Sequence, residues 1–504
     1  IGKSLSTVCL VNMSYELLLY ALMPDLFVVV GIFLALGLDY TWLRGRGIED
    51  RNRVVARVAT WSLLLGLGAM AQVDFAGINV GEGQLIYTQT SITLKALVFV
   101  LAAVVVELCA RVNICRHVSE FYALLLLSTL GMGLVITGGN LLSAFVALEL
   151  TSLSLYAMTA LWQHRRASAE AALKYLAFGG VSAAFLLFGL SYLYGATGTL
   201  ELVRITQYVA AQSELPPLIV LAYVFILIGI GFKIALAPFH FWAPDVYQNA
   251  PTPAAAWVAS GSKIAAVVLL INLLAPAFGD NPAPRIALGT ALAALAVLSM
   301  VWGNLAALRQ TNLKRLLAYS AVANAGYLLV GLVAFTPVGR ASVLFFALVY
   351  SLASIGAFGI VSLLADRLDR DAEIDDFRGC WKTMPILSGL FFVFVLSMAS
   401  IPPLAGFVGK FYLFYAAIGS QPDVAGWSEG WYWLVGLALV MSVVSLYYYL
   451  KILKPFLVFE PAGAPLERPA NAASATAALA VLALLIVIMG VYPQPFIDIF
   501  RSMG

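Results

Sequence analysis

The chain has 504 residues, of which 62% are hydrophobic and only 11% charged. A water-soluble globule of this size carries about 25% charged residues, so a soluble protein is excluded and the solvent is lipid. The formal net charge of +3 gives no footprint for nucleic acid, and no basic stretch is interleaved with aromatics.

Hydropathy predicts fourteen apolar spans, long enough to cross a hydrocarbon core of about 30 Å as helices. They fall at 15–38, 54–73, 90–110, 119–137, 141–162, 170–194, 217–243, 254–276, 285–306, 312–335, 339–365, 386–418, 431–457 and 472–492. Barrel strands would be about half as long and alternating, so an all-α polytopic bundle is expected. The longest polar connections, roughly 195–216 and 366–385, leave no room for a soluble domain. The first span holds Pro24 and Asp25 and reads as a retained span rather than a cleaved signal.

Cationic residues are sorted by loop. With the first connection on the cytoplasmic side, nineteen of the 29 Lys and Arg lie in cytoplasmic loops, led by Arg44, Arg46, Arg51, Arg53 and Arg57. Lys3, Arg204, Arg285, Arg340 and Arg501 fall opposite, which places both termini away from the cytoplasm. The remaining five, Lys95, Lys174, Lys233, Lys263 and Lys410, lie inside predicted spans. Insertion of a lysine at mid-helix costs about 2.5–3.5 kcal/mol, so each needs a reason.

In chain order, Lys95 sits near the start of the third span and is expected to snorkel to the interface. Glu107 has Arg111 at i+4, a surface pair. Glu149 lies mid-span in FVALELTSLSLY, where an unpaired carboxylate would be costly, and is the candidate partner of Lys233. Lys174 follows Glu170 by four residues and reads equally as a helix-surface pair or a proton-carrying group.

The seventh span, GIGFKIALAPFHFWAPDVYQNAPTP, holds Pro238 within the apolar run, and the twelfth, SMASIPPLAGFVGKFYLF, holds Pro402 and Pro403 before Gly406 and Gly409. Proline lacks an N–H and clashes one turn back, so freed carbonyls are expected near Ile234 and Met398. Such backbone is tolerated in lipid only against protein or a water-filled cavity. Lys233 and Lys410 adjoin these breaks, while Lys263 in ASGSKIAAV has small neighbours that leave space for water.

Paired interruptions are the pointer to a transporter built from inverted repeats. The division expected is 1–118 for spans one to three, 119–276 for a first repeat of spans four to eight, 285–458 for a second of spans nine to thirteen, and 459–504 for the last span. A buried lysine holds or releases a proton according to whether a carboxylate faces it. At about 7 Å and an effective dielectric near 20, such a pair attracts by about 2.4 kcal/mol, commensurate with the ~2.3 kcal/mol needed to move one charge against 100 mV.

His240 beside the first break either links Lys233 to Lys263 or is a hydrogen-bonded structural histidine. Asp245 and Tyr247 are expected to fix the following loop, for instance by capping the eighth helix. Tyr319, Ser320 and Asn324 either bridge by hydrogen bonds or hold helices together. The charged run from Asp366 to Asp376 reads as a solvated connection, with partner docking second. Cys9, Cys109, Cys115 and Cys380 fit no metal or iron–sulfur spacing, so no metal site is expected and redox chemistry belongs to a partner.

Three motifs carry a resemblance: PFHFWAPDVYQNAPTP from Pro238, TNLKRLLAYSAVANAGYLL from Thr311 and IPPLAGFVGKFYLF from Ile401. Together with span count and length, the chain resembles the antiporter-like membrane subunits of respiratory complex I. The lysine in the twelfth span and the overall length favour the N-type branch over the M-type and L-type. The resemblance implies an enzyme subunit that couples electron transfer in partners to proton pumping in an energy-transducing membrane, most simply the bacterial inner membrane. It also implies that this chain binds no cofactor, that partner subunits carry FMN and iron–sulfur clusters, and that quinone is the substrate of the complex. By resemblance, Glu149, Lys233, Lys263 and Lys410 form the proton relay and Lys174 supports it. Asn324 stands where relatives often have histidine, and Asn249 where they have glycine, so the step from Lys263 to Lys410 must use water or hydroxyls. The competing readings are a subunit of a multisubunit Na⁺/H⁺ antiporter, a related membrane-bound hydrogenase, or a non-conducting membrane scaffold.

Overall fold

The computed structural model describes residues 19–72, 77–81, 83–112, 116–162, 165–279, 281–365, 372–420, 431–461 and 472–501. Helices α1 (Met23–Thr41), α2 (Ile48–Gln72), α3 (Gln89–Cys109), α4 (Val118–Thr137), α5 (Leu141–Ala160) and α6 (Arg166–Thr197) match the first six spans. They are joined by a minimal hairpin, β1 (Asn79–Val80) with β2 (Leu85–Ile86). A short helix, α7 (Leu202–Ala210), follows inside the polar connection at 195–216. Its Leu202, Ile205 and Val209 are buried at i, i+3 and i+7, so it lies along the bundle on one apolar face.

The seventh span is α8 (Pro217–Lys233), a break, and α9 (Trp242–Asn249). The eighth is also divided, into α10 (Thr252–Ala259) and α11 (Gly261–Leu273), at Ser260 and without a proline at the break. Then come α12 (Pro282–Leu308), α13 (Leu313–Leu332), α14 (Pro337–Ala365), the short α15 (Cys380–Thr383), α16 (Pro385–Met398), α17 (Ala405–Gly419), α18 (Tyr432–Leu457), α19 (Ala473–Val491) and α20 (Gln494–Arg501). Among the described residues, twelve helices, with α10 and α11 taken together as one, are long and apolar enough to cross a membrane; α8 and the α16/α17 pair supply the two interrupted spans.

Burial sorts these helices. The apolar windows of α14, α10/α11 and α13 are 100%, 94% and 89% buried, whereas α6, α18 and α19 are each 33% buried. The first set forms the axis of the bundle, and the second presents side chains such as Phe188, Val443 and Val481 outward. Small residues allow the close approach on which association in lipid depends. A Cβ at Gly406 would collide with the Ser397 carbonyl, and one at Gly179 with the Tyr156 hydroxyl.

Both proline breaks adopt the same backbone. Ala235 and Ser400 have φ of 61° and 59°, each followed three residues on by a proline after a cis bond, Ala237-Pro238 and Pro402-Pro403. The hydrogen bonds from Ile234, Ala235, Leu236 and Phe239 to Ile230, Phe232, Gly231 and Leu236 recur in the same spacing from Ala399, Ser400, Ile401 and Leu404 to Val395, Ser397, Leu396 and Ile401. Beside the first break, the Trp242 indole donates to Phe232 O at 2.9 Å, and Ser182 donates to Gly229 O at 3.0 Å. Ser299 Oγ accepts the Ala237 N–H, and Ser397 Oγ the Gly406 N–H.

The connection after α14 is not wholly solvated. Residues 366–371 lie outside the described residues, but Ile374 and Phe377 are buried and Phe377 stacks on Phe456 at 4.7 Å.

Candidate functional site

Glu149 on α5 and Lys233 at the end of α8 come together. The Lys233 Nζ lies 3.8 Å from Glu149 Oε1, closer than the sequence estimate. The amine nevertheless donates to the hydroxyls of Ser152 and of Tyr156, the latter at 3.2 Å. Glu149, Ser152 and Tyr156 stand at i, i+3 and i+7, so one face of α5 offers Lys233 a carboxylate and then two hydroxyls. Glu149 Oε1 is buried and takes no hydrogen bond. The pair is in contact but not locked.

Lys263 projects from the first turn of α11, where the break at Ser260 opens the helix. It is 4% exposed, approaches Ala321 O at 3.4 Å and sits 5.4 Å over the Tyr350 ring. Lys410 on α17 is 3% exposed, lies 4.0 Å over the Tyr327 ring, and its Nζ has no hydrogen-bond partner. All three lysines lie over aromatic faces, Lys233 over Tyr156 at 5.5 Å and Phe232 at 5.6 Å, but among the described residues only Lys233 of the three has a carboxylate beside it. Each cation–π contact of this kind is worth about 2 kcal/mol when desolvated.

The region between them is lined with hydroxyls and amides. Asn324 Nδ2 donates to Ser320 O at 2.8 Å and to the Tyr449 hydroxyl at 3.3 Å. Ser320 Oγ itself donates to Leu317 O at 2.8 Å. On the Lys410 side, Tyr448 donates to Asn304 Oδ1 at 3.0 Å, and Asn304 Nδ2 donates to the Tyr327 hydroxyl at 3.3 Å. Tyr350, Tyr448 and Tyr449 escape sequence reading because tyrosine is ordinary in apolar helices and nothing local marks these three.

Other expectations are redistributed. Lys174 belongs to an ion cluster, 2.8 Å from Glu170 and 2.9 Å from Asp245, which also receives Arg315 at 2.8 Å. Asp245 therefore ties α9 to α6 and α13 rather than capping the eighth helix. Burial raises its carboxyl pKa, but the Lys174 and Arg315 hydrogen bonds outweigh this and hold it below the usual range. Tyr247 is fully buried, with its hydroxyl unpartnered. His240 packs against Phe241, Trp302 and Tyr319 at 4.7, 5.8 and 6.4 Å, and its Nδ1 is buried without a partner. Tyr319 accordingly faces His240 and Arg315, not the polar stretch beside Ser320.

Lys95 does not snorkel: it is 1% exposed and donates to Asp25 Oδ2 at 2.6 Å. A buried partner on α1, distant in sequence, removes the need to reach the interface. Lys314 is buried at the start of α13 against Ala250 O, Thr252 Oγ1 and the Trp162 ring. Glu107 does pair with Arg111, at 3.1 Å. No cluster of three potential metal ligands occurs among the described residues.

The chain matches known proteins along most of its length. Residues 138–445 match the profile described as NADH:quinone oxidoreductase/Mrp antiporter, TM. NADH-quinone oxidoreductase subunit N 2 of Acidobacterium capsulatum is 40% identical over 499 residues, covering 95% of this chain and 98% of that one. A chain of respiratory complex I from Thermus thermophilus superposes with a TM-score of 0.78 at 34% identity, covering 96% of this chain and all of that one. A chain of the Mrp complex from Dietzia sp. has a TM-score of 0.79 over 96% of this chain and 97% of its own, but 19% identity, a likeness of fold alone.

Proposed function

We infer that this chain, which belongs to the family of NADH:quinone oxidoreductase and Mrp antiporter transmembrane subunits, is a proton-translocating membrane-arm subunit of an NADH-quinone oxidoreductase. The observation that carries this reading is the unlocked contact between Glu149 and Lys233, followed by Lys263 and Lys410 buried at the axis. An isolated cation in such a place is tolerable where it pairs, hydrates or gives up its proton.

In the proposed cycle, a conformational or electrostatic change in a neighbouring subunit alters the approach of Glu149 to Lys233. With the carboxylate opposed, the amine keeps its proton; with it withdrawn, burial favours the neutral amine and the proton moves on. Protons then shift along Lys233, Lys263 and Lys410. Lys174 and His240 support this path only indirectly, through the Asp245 cluster and the aromatic packing of the break.

Electron transfer belongs to the partners: the peripheral arm would carry FMN and iron–sulfur clusters, quinone would be the substrate of the complex, and other antiporter-like chains would be membrane neighbours. The matching backbone of the two breaks supports two repeats, 119–276 and 285–458, between 1–118 and 459–504. Charge sorting supports a bacterial inner membrane orientation with both termini away from the cytoplasm.

The test is reconstitution of the intact complex in liposomes, with quinone reduction and proton uptake followed together. Lys263→Ala is expected to assemble and to lose coupled pumping. Assembly with full pumping would sink the reading and leave a scaffold, whereas cation exchange driven by an imposed gradient without electron transfer would favour an antiporter.

A further inference from the structure

We propose that the cavity between the last turns of α18 and the connection after α14 binds the headgroup of one phospholipid bearing a primary amine, of the phosphatidylethanolamine class, with its acyl chains laid along α18. The site is separate from the lysine relay.

The cavity has a volume of about 580 Å³, and its lining includes Thr311, Glu373, Asp375, Tyr447, Lys451 and Lys454. Its walls are fixed. The Ile374 N–H donates to Thr311 O at 3.0 Å and the Leu313 N–H to Ala372 O at 3.3 Å, which pins the connection to the start of α13. At the other end of the connection, the Gly379 N–H donates to Pro455 O of α18 at 3.1 Å.

Its place along α18 is where a lipid headgroup lies. Lys451 stands nineteen residues beyond Tyr432, the first of the helix, a rise of about 30 Å and so the thickness of a hydrocarbon core. Val440, Val443, Tyr447, Leu450 and Lys454 follow at i, i+3, i+7, i+10 and i+14 on one helix face, and the four before Lys454 are all exposed. An apolar stripe that runs the depth of the core and ends on two lysines matches an acyl chain followed by its phosphate.

Charge assigns the headgroup. Lys451 spends two N–H groups on Leu308 O at 3.3 Å and Gln310 O at 3.0 Å, so its charge answers the carbonyls that end α12. Lys454 lies 5.0 Å over the Phe459 ring and has no carboxylate partner among the described residues. Asp375 is taken by Arg378 at 3.1 Å, whereas Glu373 forms no ion pair among the described residues. One cation and one carboxylate are thus left to face the cavity, the complement of a phosphate joined to an ammonium. A primary ammonium donates to Glu373; a trimethylammonium has no N–H to donate, and a glycerol headgroup has no positive charge.

The experiment keeps the complex intact in vesicles that hold phosphatidylethanolamine with a photoactivatable diazirine on one acyl chain. Cross-links are mapped to peptides while unlabelled phosphatidylethanolamine, phosphatidylglycerol or phosphatidylcholine competes. Label is expected on α18 around Tyr447 and Leu450, displaced best by phosphatidylethanolamine. Lys454→Gln should lower it about tenfold, the worth of one charge-assisted hydrogen bond. Glu373→Gln should leave phosphatidylethanolamine competing no better than phosphatidylcholine. Lys382→Gln removes an exposed lysine paired with Glu460 at 2.6 Å, outside the cavity lining, and should label as wild type. Equal competition by all three lipids means annular lipid only and overturns the site. Phosphatidylglycerol matching or exceeding phosphatidylethanolamine overturns the amine assignment, and an unlabelled α18 means that a protein neighbour covers this face and overturns the proposal. Undiminished label in Lys454→Gln overturns it as well. Should the variants fail to assemble, the wild-type competition series decides by itself.

Discussion

Lys233 lies within 3.8 Å of Glu149, yet its hydrogen bonds go to Ser152 and Tyr156. A charged donor that has left its carboxylate for two hydroxyls on the same helix face is poised between two settings. The hydroxyls take the amine when the carboxylate is not fully engaged, and the difference between the settings is the size of a single charge-assisted hydrogen bond, about 1.5–3 kcal/mol.

Removing either setting should slow pumping by opposite means. Glu149→Gln keeps the shape but loses the charge that retains the proton, and coupled proton flux is expected to fall about tenfold or more. Ser152→Ala should drive Lys233 onto Glu149 and slow coupled flux, because a tighter carboxylate holds the proton longer. Coupled proton flux in liposomes, measured beside quinone reduction, checks both.

The Asp25 and Lys95 pair should be a stability element. Lys95→Ala leaves a buried carboxylate uncompensated and is expected to cost about 3–5 kcal/mol, whereas the combined Asp25→Leu and Lys95→Met change should recover most of it. Thermal unfolding of the purified complex, read from this subunit's solubility after heating, distinguishes the single from the double variant.

Gly406 should not tolerate a side chain. A Cβ there meets the Ser397 carbonyl across the second break, so Gly406→Ala is expected to destabilise by about 1–3 kcal/mol. Gly180, where nothing lies within 4 Å of an added Cβ, should accept alanine without effect. Yield of assembled complex on native gels reads the contrast.

The Asp245 cluster should give an acid-labile contribution. Its carboxyl is held below its unfolded value once Lys174 and Arg315 overcome the effect of burial, so the stabilisation is present above the ordinary carboxylate range and is lost as pH falls through the lowered value. Thermal stability should therefore drop on acidification below about pH 4, and Asp245→Asn should flatten that part of the curve.

How much could be read beforehand differs by residue. Lys233 and Lys410 declared themselves because charge in an apolar run and proline beside it are both local signals. The break at Ser260 had no proline to announce it, and α7 hid its apolar face inside a polar connection. Lys95 was misassigned because depth depends on a partner, Asp25, that lies on another helix. Tyr350 and Tyr449 became visible only through Lys263 and Asn324, which reach them from other helices.

Composition, span length and the two proline interruptions determined on their own that this is an all-helical membrane chain with buried lysines, because lipid permits no other way to satisfy so long an apolar backbone. Which side chain faces each lysine was decided by tertiary structure alone. Helix periodicity places Glu149, Ser152 and Tyr156 on one face, but only packing brings Lys233 to them, and only the meeting of helices puts Lys263 over the Tyr350 ring and Lys410 over the Tyr327 ring. Hydrogen bonds and ion pairs act over a few ångströms, and those distances are set where helices cross.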